Sequence, residues 1–339
     1  MPKLLRETHL APKIVYVDGL WGSGKSLLGP IVGSFEGIEK QKVIEILEHL
    51  SILKMLHRVD DDVCVNLMRI HTDIQAFNMY ISREVNLRMN DDTGFLNNPK
   101  KIMYLKRLFD KDGDAALQRF YKEKPVLNVM IHQILWAVKP SFDAFGDRLS
   151  VVEVVRHPLY MVDHWMNYLD RCGTDPAEFD IWLDHQGTSI PWFTEGWEDL
   201  FLSSPTMDRV IYSLDWLLSR TYQAVDALTK EQKQRVMFVP FEKFVVEPWP
   251  YVEKLEEFLD TKSTPQTPWA LKKQRCPREC LTAGLGHKGY GWEKPSKDTT
   301  DKKQYAQKLA FVKENAGPEA FKVMEKLVQA YEGMYDVHI

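Results

Sequence analysis

The chain has 339 residues, of which 44% are hydrophobic and 12% aromatic, enough to bury a substantial core. The formal net charge of -4 and a pI near 6.2 argue against general binding to nucleic acid or to a membrane surface, so any basic site must be local. No apolar run is long enough to span a bilayer, and no N-terminal segment has the composition of a secretion signal. These features predict a soluble, cytoplasmic protein.

The first element of the chain is a predicted apolar strand, 13–18, which runs directly into Gly19-Leu-Trp-Gly-Ser-Gly-Lys-Ser26. This segment fits the pattern G-x-x-x-x-G-K-[ST], and the apolar residues that follow it are spaced as in a helix. Glycines let backbone N–H groups converge on an anion, and the N-terminus of the helix faces it. We therefore predict a phosphate-binding loop that uses Gly22, Ser23, Gly24, Lys25 and Ser26.

Further along the chain, predicted helices alternate with predicted strands. Residues 39–88 read as two long helices, which we assign to a helical insertion or cap at about 39–120. Apolar strands are predicted at 126–131, 149–155 and 236–239, with helices near 209–228 and 252–259 and a helical tail up to residue 335. The sequence thus predicts one α/β domain over 1–339, with a doubly wound, mainly parallel sheet flanked by helices. Its C-terminal loop and helices are expected at about 270–339.

Chemically useful residues follow three of the predicted strands. The phosphate loop follows the first strand, His132 follows the second, and Arg156 follows the third. Either residue taken alone is as readily explained by a structural hydrogen bond or ion pair. Because the carboxyl ends of parallel strands lie side by side, we expect an anion site, a base and a guanidinium to share one crevice.

The segment from Arg156 to His164, with Pro158 at its third position, resembles the R-N-P-x-D-x-x-x-S element of sulfotransferases that use 3′-phosphoadenosine-5′-phosphosulfate (PAPS). Residues 239–248 and 286–294 are similar to two later elements of that family, in the same order. The resemblance implies a loop that binds the 5′-phosphosulfate, and a 3′-phosphate site that includes Arg156, His164, Lys288 and Gly289. It also implies His132 as the catalytic base.

Sulfuryl transfer needs positioned donors around a spread negative charge, a role that suits the loop amides and Lys25, which we predict to be catalytic. A base that removes the acceptor proton completes the scheme, and no metal is required. The acceptor is expected to be a small molecule, a glycan or a lipid. The sequence differs from the family element at His164, where a serine is expected, and at Tyr160, where an aspartate is expected.

Two alternatives remain open at this stage. Because Lys25 occupies the position used by nucleotide kinases, the chain could be a P-loop kinase that binds ATP with Mg²⁺ through Ser26 and an acidic group such as Asp18. Arg220 or Arg235 would then belong to a lid. A nucleotide-binding protein without activity is the third possibility, although such a protein would be expected to have lost the base.

Other residues are less informative. The aromatic segment 179–193, with Trp136 and Trp197, suits either an acceptor pocket or a core. Three basic residues predicted on one helix, Arg69, His71 and Arg83, either face the crevice or form a solvated surface. The four cysteines, at positions 64, 172, 276 and 280, are expected to be ordinary thiols, with a local pair between the last two as the lesser possibility.

Overall fold

A computed structural model of the chain describes residues 2–88, 94–111, 113–176, 178–281 and 300–339. A five-stranded, wholly parallel sheet lies at its centre, with the strands in the order β2-β3-β1-β4-β7. A separate antiparallel hairpin is formed by β5 and β6. The strands are β1 (Lys13–Asp18), β2 (Lys42–Val43), β3 (Val126–Met130), β4 (Leu149–Val155), β5 (Trp182–His185), β6 (Thr188–Pro191) and β7 (Val236–Pro240).

Helices flank the sheet, as the sequence predicts for a doubly wound α/β fold. In the described residues they are α1 (Lys25–Val32), α2 (Glu45–Met55), α3 (Asp61–Tyr80), α4 (Lys101–Arg107), α5 (Asp114–Glu123), α6 (Lys139–Phe145), α7 (Val162–Arg171), α8 (Glu198–Ser203), α9 (Thr206–Ala227), α10 (Lys230–Lys233), α11 (Phe241–Val246), α12 (Pro248–Leu259), α13 (Thr267–Lys273), α14 (Asp301–Asn315) and α15 (Pro318–Tyr335).

The central strands are buried along almost their whole length. In β1, Ile14, Val15, Tyr16 and Val17 are each at most 2% exposed, and β4 is buried at six of its seven positions. A parallel sheet covered on both faces requires such nearly continuous apolar strands. The four strands predicted from the sequence are therefore confirmed, and they lie side by side in the order β3-β1-β4-β7.

The structure corrects the sequence prediction at the start of the insertion. A helix was expected from about residue 39, but Lys42 and Val43 form an edge strand opposite Val129 and Met130 of β3, and the helix begins only at Glu45. Two residues are too few to produce a periodic pattern, so the adjoining helical periodicity masks them. The remainder of 39–120 is helical where the structure describes it, through α2, α3, α4 and α5.

The second correction concerns the aromatic segment 179–193, for which no strands were predicted. It contains the β5–β6 hairpin, whose turn residues Gln186 and Gly187 both have left-handed backbones, with φ of 54° and 81°. Positive φ at both central residues is typical of a type I′ turn, whose twist matches that of the paired strands.

The C-terminal helices pack against the body of the protein. In α15 the buried residues are Ala320, Met324, Val328 and Tyr331, spaced three or four apart, and this face contacts α9 and the turn that follows β4. Pro318 opens the helix at a position where a missing N–H is tolerated. The tail predicted as helical is thus confirmed for 301–315 and 318–335, and it reaches the end of β4.

The sequence also raised the questions of whether Cys276 and Cys280 are bonded and whether any helix could span a membrane. All four cysteines are free thiols, so the structure contains no bond between Cys276 and Cys280. Among the described residues, no helix combines the length and the apolar character needed to cross a membrane.

Candidate active site

The segment predicted to bind phosphate, here called the phosphate loop, lies between the end of β1 and the start of α1. Gly22 and Gly24 have left-handed backbones, with φ of 83° and 101°. A Cβ atom at Gly24 would lie 2.3 Å from the ring of Phe241, and one at Gly22 would lie 3.1 Å from Cβ of His164. The left-handed backbone favours glycine at both positions, and at Gly24 the ring of Phe241 also excludes a side chain.

Asp18 connects this loop to the segment that follows β3. Its carboxylate, 1% exposed, accepts hydrogen bonds from the N–H of Gly19 at 2.7 Å and from the N–H of Ile134 at 2.8 Å. The N–H of Gln133 also donates to the carbonyl of Gly19, at 3.1 Å. The start of the loop and residues 133–134 therefore form one hydrogen-bonded unit beside His132.

Lys25 is buried at the base of the loop, close to two acidic residues. Its ammonium donates to the carbonyl of Leu20 at 3.2 Å, and the residue is 5% exposed. Burial lowers the pKa of Lys25 to about 8, although the nearby carboxylates of Asp18 and Glu153 oppose the shift. Burial raises the pKa of Asp18 to about 6 and holds that of Glu153 well above its usual value. These three groups share a site of low polarity, in which charge is strongly disfavoured.

Glu153 was not singled out by the sequence analysis. It pairs with Asp18 across the β1–β4 register, and its buried Oε2 has no hydrogen-bond partner in the described part of the chain. The available signal was a single acidic residue inside the apolar run 149–155, since a charge inside a buried strand is unusual.

His132 is paired with a carboxylate from the helical insertion. Its Nδ1 lies 2.8 Å from Oε1 of Glu48 on α2, and its backbone N–H donates to the same oxygen at 3.1 Å. A carboxylate accepts hydrogen bonds only, so a neutral His132 carries its proton on Nδ1 and presents Nε2 as an acceptor. Glu48, 84 residues away in sequence, could not have been identified from spacing.

Gln133, the next residue, has two unusual properties. Its φ is 47°, a left-handed conformation that few residues other than glycine adopt. It is 3% exposed, and neither polar atom of its side-chain amide has a hydrogen-bond partner within the described residues. A strained backbone and an unsatisfied buried amide are features that cluster at functional sites.

Arg156 brings the end of β4 to the phosphate loop. Its guanidinium donates to the carbonyl of Gly22 at 2.7 Å and lies 4.4 Å from the centre of the Phe241 ring. Its Nε is buried and has no hydrogen-bond partner in the residues that the structure describes. Burial lowers the pKa of Arg156, and the carboxylate of Glu242 opposes this shift. With His164 packed against Gly22, the loop, Arg156 and His164 form one site.

Behind Arg156 lies a buried polar network that the sequence analysis missed. Glu242, 4% exposed, accepts hydrogen bonds from the N–H of His157 at 3.0 Å and from the hydroxyl of Tyr331 at 2.5 Å. His157 is fully buried, and burial lowers its pKa, while its Nε2 lies 3.4 Å from the carboxylate of Glu332. Helix α15 thus helps to hold the end of β4 in place.

Other predicted residues lie elsewhere in the molecule or outside its described part. Lys288 and Gly289 fall in 282–299, outside the described residues. Trp136 and Trp192 stack at 5.0 Å and are 6% and 1% exposed, so of the two alternatives for these aromatic residues, core packing holds. Arg69 donates to the carbonyls of Ala144 and Arg6, which precede β4 and β1 and lie away from the carboxyl ends of the strands.

Comparison with protein-family models and with curated proteins finds no match. Among solved structures, the chain is similar to the sulfotransferase domain from the curacin biosynthetic pathway, with 12% identity, a TM-score of 0.46 and coverage of 97% of this chain and 99% of that one. It is also similar to the sulfotransferase domain of the Synechococcus PCC 7002 olefin synthase, with 11% identity, a TM-score of 0.43 and full coverage of both chains.

A third similar structure is sulfotransferase STF9 from Mycobacterium avium, with 9% identity, a TM-score of 0.44 and coverage of 98% of this chain and 79% of that one. At these identities and TM-scores, the similarities assign no role to any residue of this chain.

Proposed function

We propose that this protein is a sulfotransferase that moves a sulfuryl group from PAPS to a hydroxyl or amine of an acceptor. The observation that carries this proposal is the arrangement of three strand ends. Arg156 after β4 binds the loop carbonyl of Gly22, and Asp18 ties the same loop to the segment that holds His132. This arrangement supports an anion site and a base at one edge of the sheet.

The residues of the loop suit a phosphorylated ligand. Glycine at positions 22 and 24 lets an anion approach the backbone N–H groups of the loop, except that of Ser23, which donates to the carbonyl of Leu20 at 3.0 Å. The hydroxyl of Ser23 and Nε of Arg156 are buried polar atoms without a partner among the described residues, and a bound anion would satisfy such donors. In our proposal, Gly22, Ser23, Gly24, Lys25 and Ser26 bind the 5′-phosphosulfate.

Arg156 and His164 would bind the 3′-phosphate. A guanidinium offers a planar set of donors that matches phosphate oxygens, and a protonated histidine adds a donor whose strength depends on pH. Lys288 and Gly289 are proposed to complete this side of the nucleotide, on the strength of their family-like sequence alone. The guanidinium of Arg156 also donates to the carbonyl of Gly22, so Arg156 lies beside the loop.

His132 is proposed as the base. The acceptor oxygen or nitrogen forms a bond to sulfur while the bond from sulfur to the 5′-phosphate oxygen breaks, and the acceptor proton passes to Nε2 of His132. Glu48 fixes the tautomer and would stabilise the imidazolium that results. The leaving group is adenosine 3′,5′-bisphosphate, whose developing charge would be met by Lys25 and the loop amides.

A P-loop kinase remains the second candidate, because the loop carries the complete G-x-x-x-x-G-K-S pattern. Calorimetry distinguishes the two. Adenosine 3′,5′-bisphosphate and ADP are titrated into the protein with and without Mg²⁺. Metal-independent preference for the bisphosphate supports the sulfotransferase, whereas preference for ADP that appears only with Mg²⁺ overturns it.

Arg156→Ala tests the assignment of the 3′-phosphate site directly. Loss of a charge-assisted contact is worth about 1.5–3 kcal/mol, so adenosine 3′,5′-bisphosphate should bind roughly 10–100 times more weakly. Adenosine 5′-monophosphate, which lacks the 3′-phosphate, serves as the matched ligand and should lose little affinity. Equal losses for both nucleotides would remove Arg156 from this role.

A further inference from the structure

Helix α4, in the helical insertion, buries polar groups and exposes apolar ones. Its inward side carries Tyr104 and Arg107, which are 1% and 7% exposed. Arg107 donates to both carboxylate oxygens of Glu39 at 2.9 Å, the Tyr104 hydroxyl donates to the same carboxylate, and the backbone N–H of Lys40 donates to that hydroxyl at 2.8 Å. The helix is therefore anchored to the body of the protein by a saturated polar network.

The opposite side of α4 is apolar and faces outward. Ile102 and Leu105 of α4, and Phe109 in the turn after the helix, follow at intervals of three and four residues and are 65%, 41% and 88% exposed. Trp269 of α13, 39% exposed, lies near the first residue of α4, since the ammonium of Lys101 is 5.8 Å from the centre of its ring. We call Ile102, Leu105, Phe109 and Trp269 the α4 face. Side chains of this size are exposed together chiefly where a protein meets another apolar phase.

Four lysines lie on α4 and α13. Lys101 and Lys273 lie 5.8 Å and 5.3 Å from the ring centre of Trp269, and Lys106 and Lys272 are exposed on the same two helices. The acidic residue nearest in sequence, Asp110, is bound to Arg119 at 2.9 Å. This positive region belongs to a chain whose formal net charge is -4, so the basic residues are locally concentrated.

We propose that the α4 face docks onto the surface of a lipid bilayer that contains anionic headgroups. Aliphatic and aromatic side chains would enter the interface, tryptophan would lie at headgroup level, and the lysines would reach the lipid phosphates along their apolar stems. Each such lysine adds attraction to an anionic leaflet. A protein partner fits this composition less well, because lysine is depleted from protein–protein interfaces.

This inference does not depend on the proposed sulfotransferase activity, and its test needs no nucleotide. The purified full-length protein is mixed with vesicles of phosphatidylcholine alone or of phosphatidylcholine with phosphatidylserine, and the fraction that sediments with the vesicles is measured. We expect binding to the anionic vesicles, weakened by added salt because headgroup attraction is screened. Absence of binding to both kinds of vesicle at low salt would overturn the proposal.

Variants locate the contact. Ile102→Ser with Phe109→Ser should reduce the partition coefficient at least about tenfold, because two apolar side chains no longer enter the interface. Lys106→Gln with Lys272→Gln should reduce binding to anionic vesicles only. Leu200→Ser, at a leucine that is 49% exposed on α8, is the matched control and should bind as the parent does.

Two results would count against a lipid partner. Vesicle binding that is the same for the parent and the Ile102→Ser, Phe109→Ser variant would place the contact elsewhere. Self-association in sedimentation equilibrium that this variant abolishes would mean that a second copy of the chain covers the α4 face. The substituted residues are exposed, so the variants should keep the parent circular dichroism spectrum, which serves as the folding control.

Discussion

Replacement of Lys25 by methionine tests the buried charge at the base of the phosphate loop. At about 1.4 kcal/mol for each tenfold change in an ionisation constant, moving the pKa from 10.5 to about 8 disfavours the folded ammonium by roughly 3 kcal/mol. Below about pH 8 both the folded and the unfolded chain carry this proton, and the penalty is complete. Between about pH 8 and pH 10.5, the folded protein has released the proton that the unfolded chain still holds.

Stability rises with pH wherever the unfolded state binds more protons. The unfolding free energy of the parent protein should therefore rise relative to that of Lys25→Met across this range, by up to roughly 3 kcal/mol. Urea unfolding of both proteins at several pH values measures the difference in unfolding free energy, and titrating groups away from Lys25 largely cancel in it. Lys106→Met is the matched control, because the side chain of Lys106 is exposed whereas that of Lys25 is buried. A difference for Lys25→Met that is also independent of pH would refute the reasoning.

Three further predictions concern the same site. In a sulfuryl-transfer assay, His132→Ala should lower kcat about 10²–10⁴-fold and Glu48→Gln about tenfold. The affinity of both variants for adenosine 3′,5′-bisphosphate, measured by calorimetry, should be unchanged. A His132→Ala variant with unchanged kcat would remove His132 from the mechanism. Gly24→Ala should lower the unfolding free energy measured in urea by about 3 kcal/mol. The control Gly196→Ala, at a similar positive φ but with open space around it, should lower it by about 1 kcal/mol. Equal losses would mean that the clash at Gly24 is relieved. Tyr331→Phe should weaken binding of the bisphosphate several-fold, because a buried carboxylate near the anion site loses a donor; the same affinity as the parent would limit this hydroxyl to a structural role.

Most strands of the sheet could be predicted because each has a recognisable pattern in the local sequence. The apolar runs that form β1, β3, β4 and β7 are each bounded by turn or helical residues. A strand buried on both faces is apolar along its length, so it can be recognised from the local sequence without knowing which strand it pairs with. The edge strand β2 could not be predicted, because two residues beside a strong helical pattern carry no periodicity of their own.

Of the candidate site, the sequence could predict mainly the residues that lie at or just after strand ends. His132, Arg156 and the loop lie at those ends, and the structure brings Arg156, His164 and Gly22 together. The residues that contact this site could not be predicted in the same way, because Glu48 lies on a helix of the insertion and Tyr331 on the last described helix. Their roles depend on long-range packing, which no local pattern records.

The contact of Tyr331 with the end of β4 also bears on the order in which the protein is made. Every strand of the sheet has been synthesised by Pro240, so the sheet can begin to form while later residues are still being added. The carboxylate of Glu242, however, meets the Tyr331 hydroxyl only after the chain has grown at least to that residue. A nascent chain with a complete sheet would therefore still lack the finished form of the proposed anion site, and ligand binding there during translation would be delayed until α15 has docked.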